Sequence, residues 1–316
     1  MDYKAAAELL KKQDRILILT HRRPDGDTIG CAAGLCAALR EQGKTACILP
    51  NEDATSLFTP YLEGYLAPEG FQPAFVVSVD IAGKSLFTPA GEVWLRQGID
   101  LAIDHHPSQE YFARETCLDA GRAACGELIY DLICQWGPVS PAAALPLYVA
   151  VSTDTGCFQY SNTTPATHRV AADLMATGID AQKANKRHFR TKSLKRLRLE
   201  SLIVDTMDLH DDGAIAIAAI GLADMARLEA DEADAEDIAA FVGQLEGVHT
   251  SVTIRELKGG SCKLSVRTDE TLNATKVCAL LGGGGHAAAA GCTVSGTVEE
   301  AKAAILAAIR KVQADA

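Results

Sequence analysis

Four short runs, at Ile16–Leu19, residues 46–49, Phe75–Val79 and residues 101–103, are apolar or β-branched at nearly every position rather than at alternate ones. A strand with apolar side chains on both sides has no face to offer to water. Its sheet must be covered on both faces, which points to a parallel sheet with helices returning the chain between strands. Helical patterns fill the intervals, for example at residues 28–42 and 126–135. The expected fold class is therefore α/β.

A change of character after about residue 183 divides the chain. The segment "KANKRHFRTKSLKRLRLES" carries eight Lys/Arg residues and reads as one long exposed helix, either a solvated connector or a strip that attracts phosphates. Beyond it, residues 214–220, 250–257 and 262–268 read as strands, and residues 298–312 as a closing helix. The acidic stretch at 224–237 reads as a solvated helix start or loop. The expected organisation is an N-terminal parallel-sheet domain over residues 1–190, a helical linker over 191–211 and a smaller α/β domain over 212–316. Two domains suit a chain of 316 residues, because single cores stop growing near ~250–300 residues.

The segments just beyond the apolar runs are more specific. "THRRPDGD" comes after the first, "SVDIAG" contains Asp80, "AIDHHP" holds Asp104, His105 and His106, and "AVSTDTG" holds Asp154. Read as strand ends of an open parallel sheet, these segments gather along one edge, where ligands bind. His21, Asp25, Asp27, Asp80, His105 and Asp154 would then share one pocket. Taken singly, an Asp at a strand end is ordinarily a helix cap and a His-His pair is ordinarily a loop. The repetition of the same residue types at successive ends departs from that. Pro24 and Gly26 bend the backbone so that Asp25 and Asp27 can both turn toward one site. Carboxylates packed this densely cannot all stay ionised without cations. Mixed carboxylate and imidazole without thiolate suits Mn²⁺ or Mg²⁺. Two such ions about 3.5–4 Å apart form the clamp of phosphoester hydrolysis.

Charge and composition limit the alternatives. A net charge of −11 argues against a grip on long duplex nucleic acid, which needs a basic face. The ten cysteines contain no C-x-x-C pair, so neither a zinc knuckle nor a disulfide framework is expected. The N-terminus lacks the apolar core of a signal peptide, and no segment approaches the ~20 apolar residues of a membrane span. A cytoplasmic protein without a membrane partner is expected.

The motifs "HRRPDGDTIG", "VDIAG", "DHHP" and "STDTGCFQYSNTTPAT", followed by "GGGGHAAAAG", resemble in content and order the DHH phosphoesterase family with a DHHA1 C-terminal domain. The whole-chain pattern is similar to the branch of bifunctional oligoribonucleases (nanoRNases) that also act as 3′-phosphoadenosine-5′-phosphate phosphatases. The resemblance implies two Mn²⁺ ions, with Mg²⁺ or Co²⁺ as alternatives. His21, Asp25 and Asp80 would hold one, Asp27, Asp80, His105 and Asp154 the other, and Asp80 would bridge. Adjacent side chains of an extended segment point to opposite faces, so Asp104, His105 and His106 cannot be equivalent ligands. Asp104 is expected to orient a histidine, and His106 to act beside the scissile phosphate.

In the second domain, four consecutive glycines before His286 expose backbone N–H groups or simply make a flexible turn. The resemblance implies that Arg267, Gly283, Gly284, Gly285 and His286 bind a substrate phosphate. Arg23 and Cys31 stand where many relatives carry small polar residues, and Cys125 occupies a similar small-residue position. The expected activity is metal-dependent hydrolysis of short single-stranded oligonucleotides or linear dinucleotides, extending to nucleoside 3′,5′-bisphosphates. A cyclic-dinucleotide phosphodiesterase and a non-catalytic nucleotide sensor are the alternatives. A family II inorganic pyrophosphatase shares the first-domain motifs but not the glycine-histidine element. A homodimer is one arrangement to expect.

Overall fold

The computed structural model describes residues 1–231, 234–235, 238–269 and 271–315. Four residues of the acidic 224–237 stretch, Glu232, Ala233, Glu236 and Asp237, lie outside the described residues. The chain divides into two compact units, Met1–Thr191 and Lys192–Ala316.

The first unit is built on five parallel strands: β1 (Ile16–Leu19), β2 (Ala46–Ile48), β3 (Phe75–Val79), β4 (Leu101–Asp104) and β5 (Glu115–Leu118). They lie in the order β2-β1-β3-β4-β5. Eight helices surround them: α1 (Tyr3–Lys11), α2 (Gly26–Glu41), α3 (Thr59–Leu62), α4 (Pro89–Gln97), α5 (Cys125–Ile133), α6 (Pro141–Asp154), α7 (Pro165–Ala176) and α8 (Ala181–Phe189). Ile16, Leu17, Ile18 and Leu19 are each at most 1% exposed, so β1 is covered on both faces. Burial of each such side chain contributes about 1.5–3 kcal/mol. Ile16 and Ile18 join the larger core with α2, α5 and α6, and Leu17 and Leu19 join a smaller cluster on the other face. β5, with only Cys117 buried, is an edge strand without a continuous apolar run, and its sequence carries no such signal.

Two readings of the chain change. Residues 141–154 form helix α6, not a strand. The basic 183–201 segment is not one helix: α8 ends at Phe189, and Ser193 caps a new helix, α9 (Leu194–Thr206), by accepting the Arg196 N–H. A serine that bonds the backbone three residues on competes with helix continuation and starts a fresh one.

The second unit holds a six-stranded mixed sheet, ordered β10-β11-β9-β8-β7-β6. Its strands are β6 (Asp208–His210), β7 (Ile215–Ile220), β8 (Thr250–Leu257), β9 (Ser261–Thr268), β10 (Gly284–His286) and β11 (Ala289–Ser295). β7 and β8 run parallel and the other neighbours antiparallel. One face is packed by α12 (Ala274–Ala279) and α13 (Val298–Ala314) around Val252, Leu264, Val266 and Ile305. On the other, α9, α10 (Leu222–Arg227) and α11 (Ile238–Val242) build a cluster with Leu199, Ile203, Ala216 and Ala218. Among the described residues, no helix is long and apolar enough to cross a membrane.

Candidate metal centre

The strand order of the first sheet reverses between β1 and β3, since β1 lies next to both β2 and β3. The chain leaves such a pair in opposite directions and opens a crevice beyond their C-terminal ends. His21 follows β1 there, and Asp80 follows β3. Asn51, beyond β2, ties the first loop down: its amide donates to Thr20 Oγ1 and to the His21 carbonyl, both at 2.9 Å. Asp25 caps α2, accepting the N–H groups of Asp27 at 3.0 Å and Thr28 at 3.2 Å.

Asp27 is buried, and its carboxylate does two things. It accepts the backbone N–H groups of Cys125 at 2.7 Å and Gly126 at 2.9 Å, and the Cys31 thiol donates to it at 3.2 Å. It thus caps α5, whose own N-cap residue is Ala124. It also faces His105, with Nε2 3.7 Å from Asp27 Oδ2.

Asp80 lies at the centre. It is 2% exposed and has a left-handed backbone, with φ of 57°, which costs energy in a residue with a side chain. Its Oδ1 makes no hydrogen bond, yet it lies 3.5 Å from both His105 Nε2 and His106 Nδ1. Its Oδ2 lies 3.8 Å from His21 Nε2, which is 3.6 Å from Asp25 Oδ1. Asp154 completes the set, with Oδ2 3.6 Å from His105 Nε2. The apolar run before it suggests a strand end, but Asp154 is the last residue of α6.

Three overlapping groups result: His21, Asp25 and Asp80; Asp27, His105 and Asp154; and Asp80, His105 and His106. In each, one ligand atom per residue lies within 4.8 Å of the others. The histidines are set for ligation. His105 Nδ1 bonds the Arg122 carbonyl at 3.1 Å, and His21 Nδ1 bonds the Arg22 carbonyl at 2.9 Å. A carbonyl oxygen can only accept, so each Nδ1 carries a proton and Nε2 is the ring atom turned toward the acids.

Asp104 stands behind this shell, fully buried. Its Oδ1 accepts the backbone N–H groups of His105 and His106 and, at 2.8 Å, His106 Nδ1. Its Oδ2 accepts from the Gln109 amide at 2.6 Å. Burial works against a charged His106, but the bond and charge of Asp104 outweigh it and raise its pKa.

The electrostatics show a site short of positive charge. Burial, then the charge of Asp25, pushes Asp27 up to about 7. Burial, then the charge of Asp27, pushes Asp154 up to about 7. Asp80 is driven well above the carboxylate range by burial and by Asp27 and Asp25. Asp25, with a side chain 55% exposed, goes the other way. Desolvation pushes it up, but the bond and charge of His21 and the α2 N–H groups outweigh that and hold it at about 2. Buried carboxylates without cations resist ionisation in this way. The hard oxygen and imidazole donors around the unbonded Asp80 Oδ1 fit divalent ions.

Two supporting residues, Gln109 and Arg122, lie outside the sequence motifs, and a third, Asn162, lies inside "STDTGCFQYSNTTPAT" without a role that the motif announces. The Asn162 amide donates to the Ala123 carbonyl at 3.0 Å and the Asp154 carbonyl at 3.1 Å, tying the loop before α5 to the end of α6. Arg122 lends only its backbone to His105, and its guanidinium bonds Asp119 and Asp131. No spacing announces such roles.

In the second unit, Arg267 on β9 and His286 on β10 both lie opposite Ala289 of β11. Directly opposed residues share a sheet face, so both side chains flank one methyl group on the same face. Gly284 and Gly285 belong to the exposed β10, and Gly283 precedes it. A Cβ at Gly283 would lie 2.2 Å from the Gly291 carbonyl, so only glycine fits there.

Fold and site together define a class: a two-unit α/β protein with a carboxylate–imidazole cluster, of the kind that holds divalent cations, at the switch point of a parallel sheet. Residues 15–179 match the DHH family, N-terminal domain, and residues 212–315 match the DHHA1 domain. The chain is 33% identical to the bifunctional oligoribonuclease and PAP phosphatase NrnA of Thermus thermophilus, over 98% of this chain and 93% of that protein. Its fold is shared by an exopolyphosphatase-related protein from Bacteroides fragilis, with a TM-score of 0.89 at 24% identity, covering 99% of this chain and 96% of that one. It is shared more loosely by the exonuclease RecJ bound to manganese, with a TM-score of 0.51 at 14% identity, covering 99% and 94%. The chain belongs to the DHH family of phosphoesterases, with a DHHA1 domain as its second part.

Proposed function

We propose that this protein hydrolyses phosphoester bonds in short single-stranded oligonucleotides and linear dinucleotides, and removes the 3′-phosphate of nucleoside 3′,5′-bisphosphates, using two divalent cations, with Mn²⁺ preferred. The observation that carries the reading is Asp80, a buried carboxylate whose two oxygens face different histidines and whose Oδ1 makes no hydrogen bond. A bridging ligand is what such a group is suited to be. The similarity to the Thermus thermophilus oligoribonuclease and PAP phosphatase supports the substrate class, and the manganese-bound RecJ relative supports the metal.

His21, Asp25 and Asp80 would hold one cation, and Asp27, Asp80, His105 and Asp154 the other. The cations supply neutralisation of phosphoryl charge and activation of water. The chain's own part is positional and acid–base. Asp27 and Asp154 are kept in place by α5 and by Asn162, and the carbonyls of Arg22 and Arg122 fix the tautomers of His21 and His105. His106, held by Asp104 through Nδ1, is the proton donor for the leaving oxygen; its raised pKa favours the charged form such a donor needs. Arg267, His286 and the backbone of Gly283, Gly284 and Gly285 would grip a substrate phosphate.

The test is a substrate panel with Mn²⁺: adenosine 3′,5′-bisphosphate, linear and cyclic dinucleotides, two- to five-nucleotide RNAs and pyrophosphate. The linear substrates should show the highest kcat/KM. Asp80→Ala should lower kcat at least about a hundredfold, the scale of losing one electrostatic group at the transition state, and should lower bound metal. Full activity in Asp80→Ala, or a preference for pyrophosphate, would defeat the reading.

A further inference from the structure

The turn after His106 brings one side chain back beneath it. The Gln109 N–H donates to the His106 carbonyl at 3.2 Å, and Pro107 supplies the φ that the second position of such a turn favours. The turn carries Gln109 into the interior, where it is 5% exposed. There its amide is fully used. Nε2 donates to Asp104 Oδ2 at 2.6 Å and to the Ile81 carbonyl at 2.9 Å, and Oε1 accepts the Tyr111 N–H at 3.1 Å. The Ile81 carbonyl can only accept and the Tyr111 N–H can only donate, which fixes the orientation of the amide. The next residue continues the seam, the Glu110 N–H donating to the Ala82 carbonyl at 2.9 Å. Gln109 thus joins the end of β4 to the residue after Asp80.

The seam bears on a choice between two carboxylates. His106 Nδ1 lies 2.8 Å from Asp104 Oδ1 and 3.5 Å from Asp80 Oδ1. The Asp80 oxygen makes no hydrogen bond, so it is an acceptor toward which the ring can turn. Asp104 keeps the ring only while its own carboxylate holds still. Its Oδ1 accepts the backbone N–H groups of His105 at 2.8 Å and His106 at 3.2 Å. A carboxylate held at one oxygen still rocks about it; held at both, it does not. Gln109 pins the second oxygen, and a hydrogen bond to an ionised acceptor is roughly twice as strong as one between neutral groups.

We propose that Gln109 is a positioning residue for protonation of the leaving group: by fixing Asp104 it keeps the His106 ring on Asp104 and off Asp80. As the P–O bond breaks, its electron pair goes to the leaving oxygen, and that oxygen takes the proton from His106 Nε2. Gln109 itself transfers nothing. The inference rests on the phosphoester hydrolysis proposed above and adds a dependence on the leaving group. A ribose oxygen leaving a dinucleotide is too basic to depart without a proton, whereas 4-nitrophenolate departs as the anion. A misplaced His106 therefore slows the first reaction and spares the second.

The experiment compares the full-length protein loaded with Mn²⁺, its Gln109→Met variant and a Leu174→Ala control. Methionine keeps the length of the glutamine side chain and removes its donors. Leu174 is buried on α7, and its truncation loosens the core through a cavity without touching the seam. Two substrates are read for kcat and KM: linear diadenylate and the 4-nitrophenyl ester of adenosine 5′-phosphate. Gln109→Met should lower kcat for the dinucleotide about a hundredfold, the lower end of what a positioned acid contributes. Its kcat for the nitrophenyl ester, and its KM for both, should stay within about threefold of the parent. A second readout needs no turnover. In the metal-free protein the His106 Nδ1 proton, assigned by its loss in His106→Asn, should resonate far downfield in the parent and in Leu174→Ala, and move upfield in Gln109→Met. An equal fall in kcat on both substrates, or no fall on either, overturns the assignment. So does a resonance that is absent from the parent or unmoved in Gln109→Met, and so does the same selective loss in Leu174→Ala. The expected movement of the resonance in a protein whose parent hydrolyses no dinucleotide supports the positioning and instead defeats the proposed function.

Discussion

At the scale of single residues, the centre is governed by carboxylates that resist ionisation. Asp27 and Asp154 have pKa values raised from 3.8 to about 7. A group whose folded pKa is raised adds stability below its unfolded pKa and loses it as pH rises through the folded one. The metal-free protein should therefore become less stable between about pH 4 and pH 7, and bound cations should remove that loss. The rise in Tm on adding Mn²⁺ should grow with pH across this window, and binding should release protons at about pH 6.5. Calorimetric titration in two buffers of different ionisation enthalpy measures the proton release; zero release would contradict the assignment. Asp104 affects a different group. Asp104→Asn weakens the charge that raises His106, so the alkaline limb of the kcat profile should move to lower pH and kcat should fall about 10²-fold. An unmoved limb would show that His106 is not the acid. Asp27 shows what a sequence conceals at this scale. Its place in a D-x-D loop suggests a ligand, but its capping of α5 joins residues 98 and 99 positions apart, and no local pattern encodes that.

At the scale of elements, the parallel strands were legible and one helix was not. Ile16–Leu19 and Phe75–Val79 are short apolar runs bounded by polar loops, and short apolar runs of that kind mark buried strands. In α6, Leu147 to Ser152 are all buried, so the helix has no polar stripe to show a 3.6-residue period. An all-buried helix cannot be told from a buried strand by periodicity. Pro146 and the β-branched Val149 and Val151 deepen the ambiguity. The start was legible in principle, since Ser140 accepts the Ala143 N–H and Pro141 opens the first turn. What brings α6 to the site is its contact with α2. A Cβ on Gly30 would lie 2.3 Å from the Pro146 carbonyl and 2.8 Å from Ala150 Cβ, and one on Gly26 would lie 2.2 Å from Thr153 Oγ1. The two helices thus approach closely because glycines line the contact, and the approach carries Asp27 and Asp154 to the same histidine. Gly30→Ala should destabilise the protein by about 1–3 kcal/mol through overpacking, read as a shift of the urea midpoint. It should also lower Mn²⁺ affinity, because the two acids move apart. Destabilisation without any change in affinity would mean that the helix contact does not set the centre.

At the scale of the whole molecule, the residues proposed for the cations and those proposed for a substrate phosphate fall in different units. All six residues assigned to the cations lie within Met1–Thr191, while Arg267, His286 and the glycines lie within Lys192–Ala316. The sheet of the first unit could be read from its apolar runs. The register of the second could not, because it depends on which strands pair, and β10 and β11 meet across only three residues of each strand. The division leads to a separable prediction. Arg267 belongs to the unit that holds none of the six proposed cation ligands, so Arg267→Ala should leave the metal content and its pH dependence at parental values. If Arg267 grips a phosphate equally in ground and transition states, its loss removes uniform binding, which raises KM and spares kcat. A rise in KM of at least about tenfold with kcat within about threefold is expected, the scale of one charge-assisted contact. Steady-state kinetics with a linear dinucleotide, beside metal analysis of the same sample, measures both. A fall in kcat with unchanged KM would place Arg267 at the reacting phosphate instead, and a loss of metal would mean that the units do not divide the work.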